Sequence, residues 1–541
     1  MTRDLRRLGD THFDLIVVGG GIYGTTAAWD ATQRGLSVAL VDRADFGGGT
    51  SFNSAKTVHG GVRALQTASL RELGQFVRER RSLSRIAPHL IDPLPFVIPT
   101  YGRLTRNRWL MRTYFAAYDL ASRERNEGLD PSRRLPASRL LSREECLALG
   151  PSLDPADVTG GIEWYDCQMY NSDRVNLSFI LTATDGGATA VNYAEVTGLI
   201  REGSRVGGVR IDDRLGGERL DVRGSVVMIC GGPWAPSMLR TLASDHRPAL
   251  PGRFSKAMNL ITDRPLADSH ACATWADGRL LFITPWRGQT IIGTSHHPFE
   301  GDATELAVRR DQVEEFVGQV NQAFPRVHLD LGDLRLVHCG LLPAMGRDGR
   351  HEALRKTSLV TDHRPEGLDG LVSVLGVRYT TARDTAQRAV DTVFELLGKP
   401  ASSCRTAQTP LAGGDIADVE RFLGDAKQQD GVRAETGRRL ARSYGTRWGD
   451  VLDALRRGND GEPLGSSCPV TRGEIRHAVR HEMAVKLSDA VLRRTEAGSA
   501  GHPGIDALRS AATVMGAELD WPATRVADEI RQVEAVYEIP E

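Results

Sequence analysis

Residues 13–63 read FDLIVVGGGIYGTTAAWDATQRGLSVALVDRADFGGGTSFNSAKTVHGGVR. The apolar run Leu15–Val18 meets Gly19, Gly21 and Gly24 in G-x-G-x-x-G spacing, and a run of small residues follows from Thr25 to Gln33. Strand, tight turn and helix are expected in that order. Gly19 permits the turn, Gly21 lets the backbone approach a pyrophosphate without a Cβ in the way, and Gly24 lets helix and strand pack closely. The helix N-terminus offers unsatisfied N–H groups and a partial positive charge to phosphates. A second strand, Ser37–Val41, ends in Asp42, about 20 residues beyond the glycines, where a carboxylate accepts ribose hydroxyls. A glycine-rich turn alone is a weak signal. Strand, fingerprint, helix, strand and terminal acid in register point to a bound dinucleotide.

The segment from Gly47 to Arg63 decides which dinucleotide. It is rich in Gly, Ser, Asn and Thr and carries Lys56, His59 and Arg63, where a nicotinamide-binding domain would enter another helix directly. A long polar loop suits FAD, whose ring lies beyond the first βαβ unit and needs donors along its pyrophosphate and ribityl chain. A second glycine pair, Gly231-Gly232, follows the buried strand pattern Val226–Cys230 and allows another close backbone approach. A third junction, Leu371–Leu375 followed by Gly376, Arg378, Thr380 and Thr381 and then a helix to Leu397, again presents free N–H groups to something anionic.

Several of these stretches resemble the FAD-dependent glycerol-3-phosphate dehydrogenases. Thr50-Ser51, Ser54, Lys56 and His59-Gly60-Gly61-Val62-Arg63 match that family's flavin loop, and Tyr165-Asp166-Cys167 with Asp173-Arg174 resembles its Y-x-D-x-x-x-D-D-x-R-L element. Cys230-Gly231-Gly232-Pro233-Trp234 resembles A-T-G-P-W, and Ile283-Thr284-Pro285-Trp286 with Ile292-Gly293-Thr294 resembles I-P-W and I-G-T-T-D. The resemblance implies FAD held at Gly19, Gly21, Gly24, Asp42, Thr50, Ser51, Ser54, Lys56, Gly231, Gly376, Thr380 and Thr381. It also implies that the hairpin pattern near Val196 returns to the adenine. Lys56, His59 and Arg63 are expected beside the flavin ring.

The expected architecture is α/β and multi-domain: a Rossmann-type FAD-binding domain from residues 12–90, 150–250 and 340–400, and an antiparallel-sheet substrate domain from 91–149 and 251–339. An all-α cap is expected at 401–541, where a helical pattern from Val470 to Arg494 begins with the capping box Thr471 to Glu474. The charged segment Ala68–Ile86 reads as a solvated helix. Arg and aromatic residues from Tyr101 to Glu124 suit either a membrane surface or packing into the substrate domain.

Composition removes other classes. The 541 residues carry a net charge of −1, so no basic field advertises nucleic acid. Seven scattered cysteines without C-x-x-C spacing read as reduced thiols, and no His, Cys or acidic spacing suggests a metal. The N-terminus lacks an apolar signal core and no run of about 18 apolar residues occurs. A cytoplasmic enzyme is expected, with contact to the inner face of a membrane and a homodimer both left open.

The resemblance breaks where substrate would bind. Ala64 stands where the family has tyrosine, Leu342 where it has arginine, Gly376-Val377-Arg378-Tyr379-Thr380-Thr381-Ala382-Arg383 where it has G-G-K-L-T-T-Y-R, and Ser295-His296 where it has T-D. These breaks favour oxidation of a secondary hydroxyl on a polyol or sugar-derived small molecule, with or without a phosphate. Glycerol-3-phosphate dehydrogenase proper, an amine or amino-acid oxidase of the same superfamily, and a nucleotide-binding module without turnover remain as alternatives. Arg63, Arg253, Arg287 and Arg378 are candidate anion ligands. Arg63 and Arg378 would orient substrate, and His59, His296 and His297 are candidate bases. Quinone, oxygen and a carrier protein all remain open as electron acceptor.

Overall fold

The computed structural model describes residues 1–62, 69–102, 106–243, 245–246, 250–276, 278–348, 351–456 and 458–540. The opening stretch folds as its spacing predicts: a strand, His12–Val18, then a helix, Ile22–Gln33, then a strand, Val38–Val41. His12–Val18 runs parallel to Val38–Val41 on one side, with Val18 opposite Val41, and to Arg219–Ile229 on the other, with Val18 opposite Ile229. Every residue of Val38–Val41 and of Leu371–Leu375 is buried. Unbroken apolar runs of this kind mark parallel strands covered on both faces.

This first sheet has eight strands, in the order Leu359–Asp362, Leu371–Leu375, Arg219–Ile229, His12–Val18, Val38–Val41 and Thr189–Val191, with the hairpin Ala194–Glu202 and Arg205–Asp213 joined to Arg219–Ile229. The helices Ile22–Gln33, Ser172–Asp185 and Ala382–Leu397 share one core on one face. The hairpin and the helix Ala235–Leu242 form the core of the other.

The second sheet has ten strands, built around Phe254–Thr262, Gln289–Phe299, Arg279–Trp286 and Ala271–Ala276, with the helix Arg310–Ala323 packed behind it. It is wider than the sequence expectation. Val158–Met169 falls within the span assigned to the FAD domain, yet it pairs antiparallel with Ile91–Tyr101 along its whole length. Thr57–Val58 and the end of Leu334–Asp348 also belong here. Their backbone groups are satisfied by antiparallel ladders within this second sheet.

Two helical expectations need correction. The helix Leu70–Ile86 is not simply solvated, since Glu79 and Arg80 are each 1% exposed. Arg80 pairs with Asp166 at 2.5 Å and Glu79 with Arg383 at 2.6 Å, so this charge run reaches into the core. The pattern from Val470 to Arg494 is two elements. Thr471 and Glu474 form the capping box, but the helix Arg472–Glu482 ends at Met483 with φ +58°, and Asp489–Arg494 forms a π-helical turn. Asp489 Oδ2 accepts the N–H groups of Val485 and Lys486, fixing the short connection between the two elements. The helix Arg108–Ala121 buries Phe115 and Tyr118 while Trp109, Leu110 and Leu120 face outward, more than half exposed. No helix among the described residues is long and apolar enough to cross a membrane.

Candidate active site

Residues of both sheets line a cavity of about 480 Å³. That size falls in the range of small-molecule and cofactor sites. Gly19, Gly21, Asp42, Arg43, Val196 and Trp234 line its wall together with Thr50, Ser51, Ser54, Lys56, Gly231, Gly376 and Thr380. His59, Asn259, Thr294, Leu342 and Arg378 complete it.

The glycines divide their work as the fingerprint demands. Gly19 has φ +109°, and a Cβ there would sit 2.5 Å from the Cys230 carbonyl oxygen. At Gly24 a Cβ would fall 1.9 Å from the Gly19 carbonyl, so this position serves helix–strand packing and lies outside the cavity wall. A Cβ on Gly21 would meet only Ser51 Oγ, at 3.3 Å, and otherwise points into open space. Gly20 and Ala44 donate their N–H groups to Asp42 at 2.6 and 2.8 Å. Burial nevertheless pushes the Asp42 carboxyl up to about 6. Ser51 Oγ accepts the Ile22 N–H at 3.0 Å, tying the polar loop to the helix N-terminus.

Lys56 is buried in a left-handed backbone conformation, φ +59°, of the kind that persists where surrounding structure enforces it. Its Nζ donates to the Phe52 carbonyl and to Ser172 Oγ and lies over the Phe52 and Trp286 rings. Burial, only partly opposed by Asp173, brings the ammonium down to about 8. The His59 N–H donates to Thr380 Oγ1 at 3.2 Å, and His59 Nδ1 stands 3.6 Å from Asp166 Oδ2. Asp166 also accepts the Gly60 N–H and the Arg80 guanidinium. It thus places a carboxylate 3.6 Å from the His59 ring, a proximity that its Tyr165-Asp166-Cys167 element did not disclose.

The residues present fit FAD. Ser54 Oγ and Trp234 Nε1 are buried against the cavity without a partner, and a bound dinucleotide supplies acceptors for such groups. The Gly21 approach, the helix N-terminus behind Ile22 and the Gly376–Thr380 junction are the other elements that would hold it. Residues 14–377 match the family described as FAD dependent oxidoreductase, and residues 404–526 match the C-terminal domain of alpha-glycerophosphate oxidase. The chain belongs to the FAD-dependent oxidoreductases.

Among relatives of this FAD-dependent oxidoreductase, the glycerol-3-phosphate dehydrogenase of Mycobacterium leprae is 31% identical over 98% of this chain and 89% of its own. That of Synechocystis is 28% identical, covering 91% and 90%. The fold is that of the Bacillus halodurans glycerol-3-phosphate dehydrogenase complexed with FAD, with a TM-score of 0.78 and 24% identity over 98% of this chain and 96% of that one. The oxidoreductase is thus glycerol-3-phosphate dehydrogenase-like, and its cofactor is FAD.

The cavity draws together most of the residues singled out from sequence, but not all. Arg63 and Ala64 lie outside the described residues. Thr381 is not in the wall; it stands at the start of the helix Ala382–Leu397, its hydroxyl turned to the Arg378 carbonyl. His296 is opposite Ala257 in the second sheet and therefore on the cavity-facing side, yet it sits beyond the wall with Nδ1 3.2 Å from Ser255 Oγ. His297 points to the other face, toward Glu315 of the helix behind. Arg287 is drawn away by Glu496 and Ser499 of the carboxy-terminal domain.

Proposed function

We propose that this FAD-dependent oxidoreductase oxidises a secondary hydroxyl of a polyol or sugar-derived molecule other than glycerol 3-phosphate. One observation carries the reading: Leu342 is part of the cavity wall, beside Gly340 and Leu341, and two of the candidate arginines, Arg287 and Arg378, already have carboxylate partners. Arg287 serves Glu496, and Arg378 is held by Glu72 at 2.6 Å. Losing one charged hydrogen bond to an anionic ligand costs about 1.5–3 kcal/mol, roughly 10- to 150-fold in affinity. An apolar side chain in that wall leaves more room and less attraction for a phosphate.

FAD, when bound, supplies the hydride acceptor. His59 is the base in this reading. A proton on Nδ1 directed at Asp166 leaves Nε2 to accept the hydroxyl proton. Arg378, through its remaining donors, orients a substrate oxygen. The names of the relatives favour glycerol 3-phosphate itself as the competing substrate. The deciding measurement compares kcat/KM for glycerol 3-phosphate with larger polyols and sugar alcohols under one artificial electron acceptor. A value for glycerol 3-phosphate above about 10⁴ M⁻¹s⁻¹ and above every larger compound would refute the proposal.

A further inference from the structure

Tyr23, on the helix Ile22–Gln33, holds the backbone at Arg378. The Tyr23 hydroxyl accepts the N–H groups of Val377 and Arg378 at 3.0 and 2.9 Å and donates to the Arg378 carbonyl at 2.6 Å. Only the side chain can therefore adapt to what enters. That side chain is already occupied. Its Nη1 bonds Glu72 Oε1 at 2.6 Å, and its guanidinium carbon lies 4.8 Å over the Phe76 ring.

Glu72 and Phe76 are one turn apart on the helix Leu70–Ile86, so they present a carboxylate and an aromatic face side by side, a holder shaped for a guanidinium. The carboxylate is also well supported where it stands. Glu72 lies in the first helical turn, its N–H donating to the Ser69 cap, where the helix dipole favours negative charge. Along the same face Gln75 donates to Asp384 and Glu79 accepts from Arg383, so the helix is pinned along the Arg378 junction at three successive positions.

We infer that Glu72 is a specificity-determining residue: it neutralises Arg378 in the cavity wall and so selects against substrates carrying a phosphate or carboxylate there. This rests on the reading of the site as one for hydroxyl substrates. The guanidinium has five donors, and those not facing Glu72 still reach a neutral oxygen. For a hydroxyl that short-range bond is all that matters. For an anion most of the attraction is the long-range charge, and the Glu72 carboxylate cancels it. The pair is partly exposed, with Arg378 at 35% and Glu72 at 16%, so the effect is one of selection and not of absolute exclusion.

The test is a double-mutant cycle on the holoenzyme with inorganic phosphate as probe, its binding followed by perturbation of the flavin spectrum. Glu72→Gln should tighten phosphate binding about tenfold, the size of one charge-assisted contact regained. The same substitution in an Arg378→Gln background should change nothing. In turnover, Glu72→Gln should raise by about tenfold the kcat/KM ratio of a phosphorylated polyol to the same polyol without phosphate. Phosphate affinity within about twofold of wild type would overturn the inference, and so would an equal gain in both backgrounds, which would reflect bulk charge and not release of Arg378. A wild-type enzyme that oxidises amines and no polyol would sink the substrate reading separately, and the phosphate cycle would still decide the role of Glu72.

Discussion

Asp45 and Arg494, 449 residues apart, form a bidentate ion pair at 2.6 and 2.7 Å with both side chains 1% exposed. Asp45 lines the cavity and Arg494 belongs to the carboxy-terminal domain, so that domain closes the cofactor site from behind. Arg493 adds a contact to the same carboxylate at 2.5 Å. Removing one partner of a buried pair strands the other, at about 3–5 kcal/mol. Arg494→Met should therefore lower the thermal unfolding temperature and release FAD in parallel, read by flavin fluorescence during the melt. Unchanged FAD retention would show that the domain merely abuts the site.

The same carboxylate sets a pH dependence. Burial pushes Asp45 up, but Arg494 and Arg493 outweigh it and hold the carboxyl well below the usual range. Glu482, paired with Arg174 at 2.7 Å, is held low in the same way. A carboxyl depressed in the folded state stabilises fully above its unfolded value, near pH 4, and loses that contribution as pH falls through the folded value. Stability measured between pH 7 and pH 5 should show no loss from these two groups, and acid unfolding should begin below about pH 4 and shift upward in Glu482→Gln.

Lys56 predicts a signal at alkaline pH. Its folded value is about 8 against 10.5 for the free side chain. The depressed amine contributes stability present above 10.5 and lost as pH falls through about 8, where the buried ammonium forms. Because Lys56 lines the cavity, its titration should appear as a flavin difference spectrum with an apparent pKa of about 8. Lys56→Met should abolish that transition while still binding FAD.

Gly21→Val should give a folded but colourless protein. A Cβ at Gly21 meets only Ser51 Oγ, so the chain tolerates the side chain while the pyrophosphate does not. Full flavin content in the purified variant would refute the assignment of this turn.

His59→Ala should reduce kcat by about 10²- to 10⁴-fold, the usual worth of a general base, with a smaller change in KM. Asp166→Asn should reduce it less, because the imidazole remains in place. A His59 variant with wild-type turnover would move attention to His296.

Leu342→Arg should raise activity on glycerol 3-phosphate by about 10- to 150-fold if the wall at that position selects substrate. No gain, in a variant that still oxidises a larger polyol, would leave Leu342 a packing residue.

Much of this molecule is readable along the chain. The G-x-G-x-x-G turn, the acid at Asp42, the wall strand Leu371–Leu375 and the capping box at Thr471 are short-range devices, in which bond geometry and neighbouring backbone groups dictate the residues used. The flavin loop with Lys56 and His59 belongs with them, and FAD follows from their order. What the sequence could not declare is pairing between residues hundreds of positions apart. Nothing local marks Arg80 and Glu79 as core residues, Asp166 as the acid behind His59, or Asp45 as the anchor of Arg494. A charged side chain reads as solvated until its partner is located, because burial of an ion is favourable only when the opposite charge arrives with it. Placement of His296 just beyond the wall, engagement of Arg287 by Glu496 and the hold of Glu72 on Arg378 are decided the same way. They depend on which surfaces the two sheets and the helical domain bring face to face, a property of the packed molecule and not of any one segment.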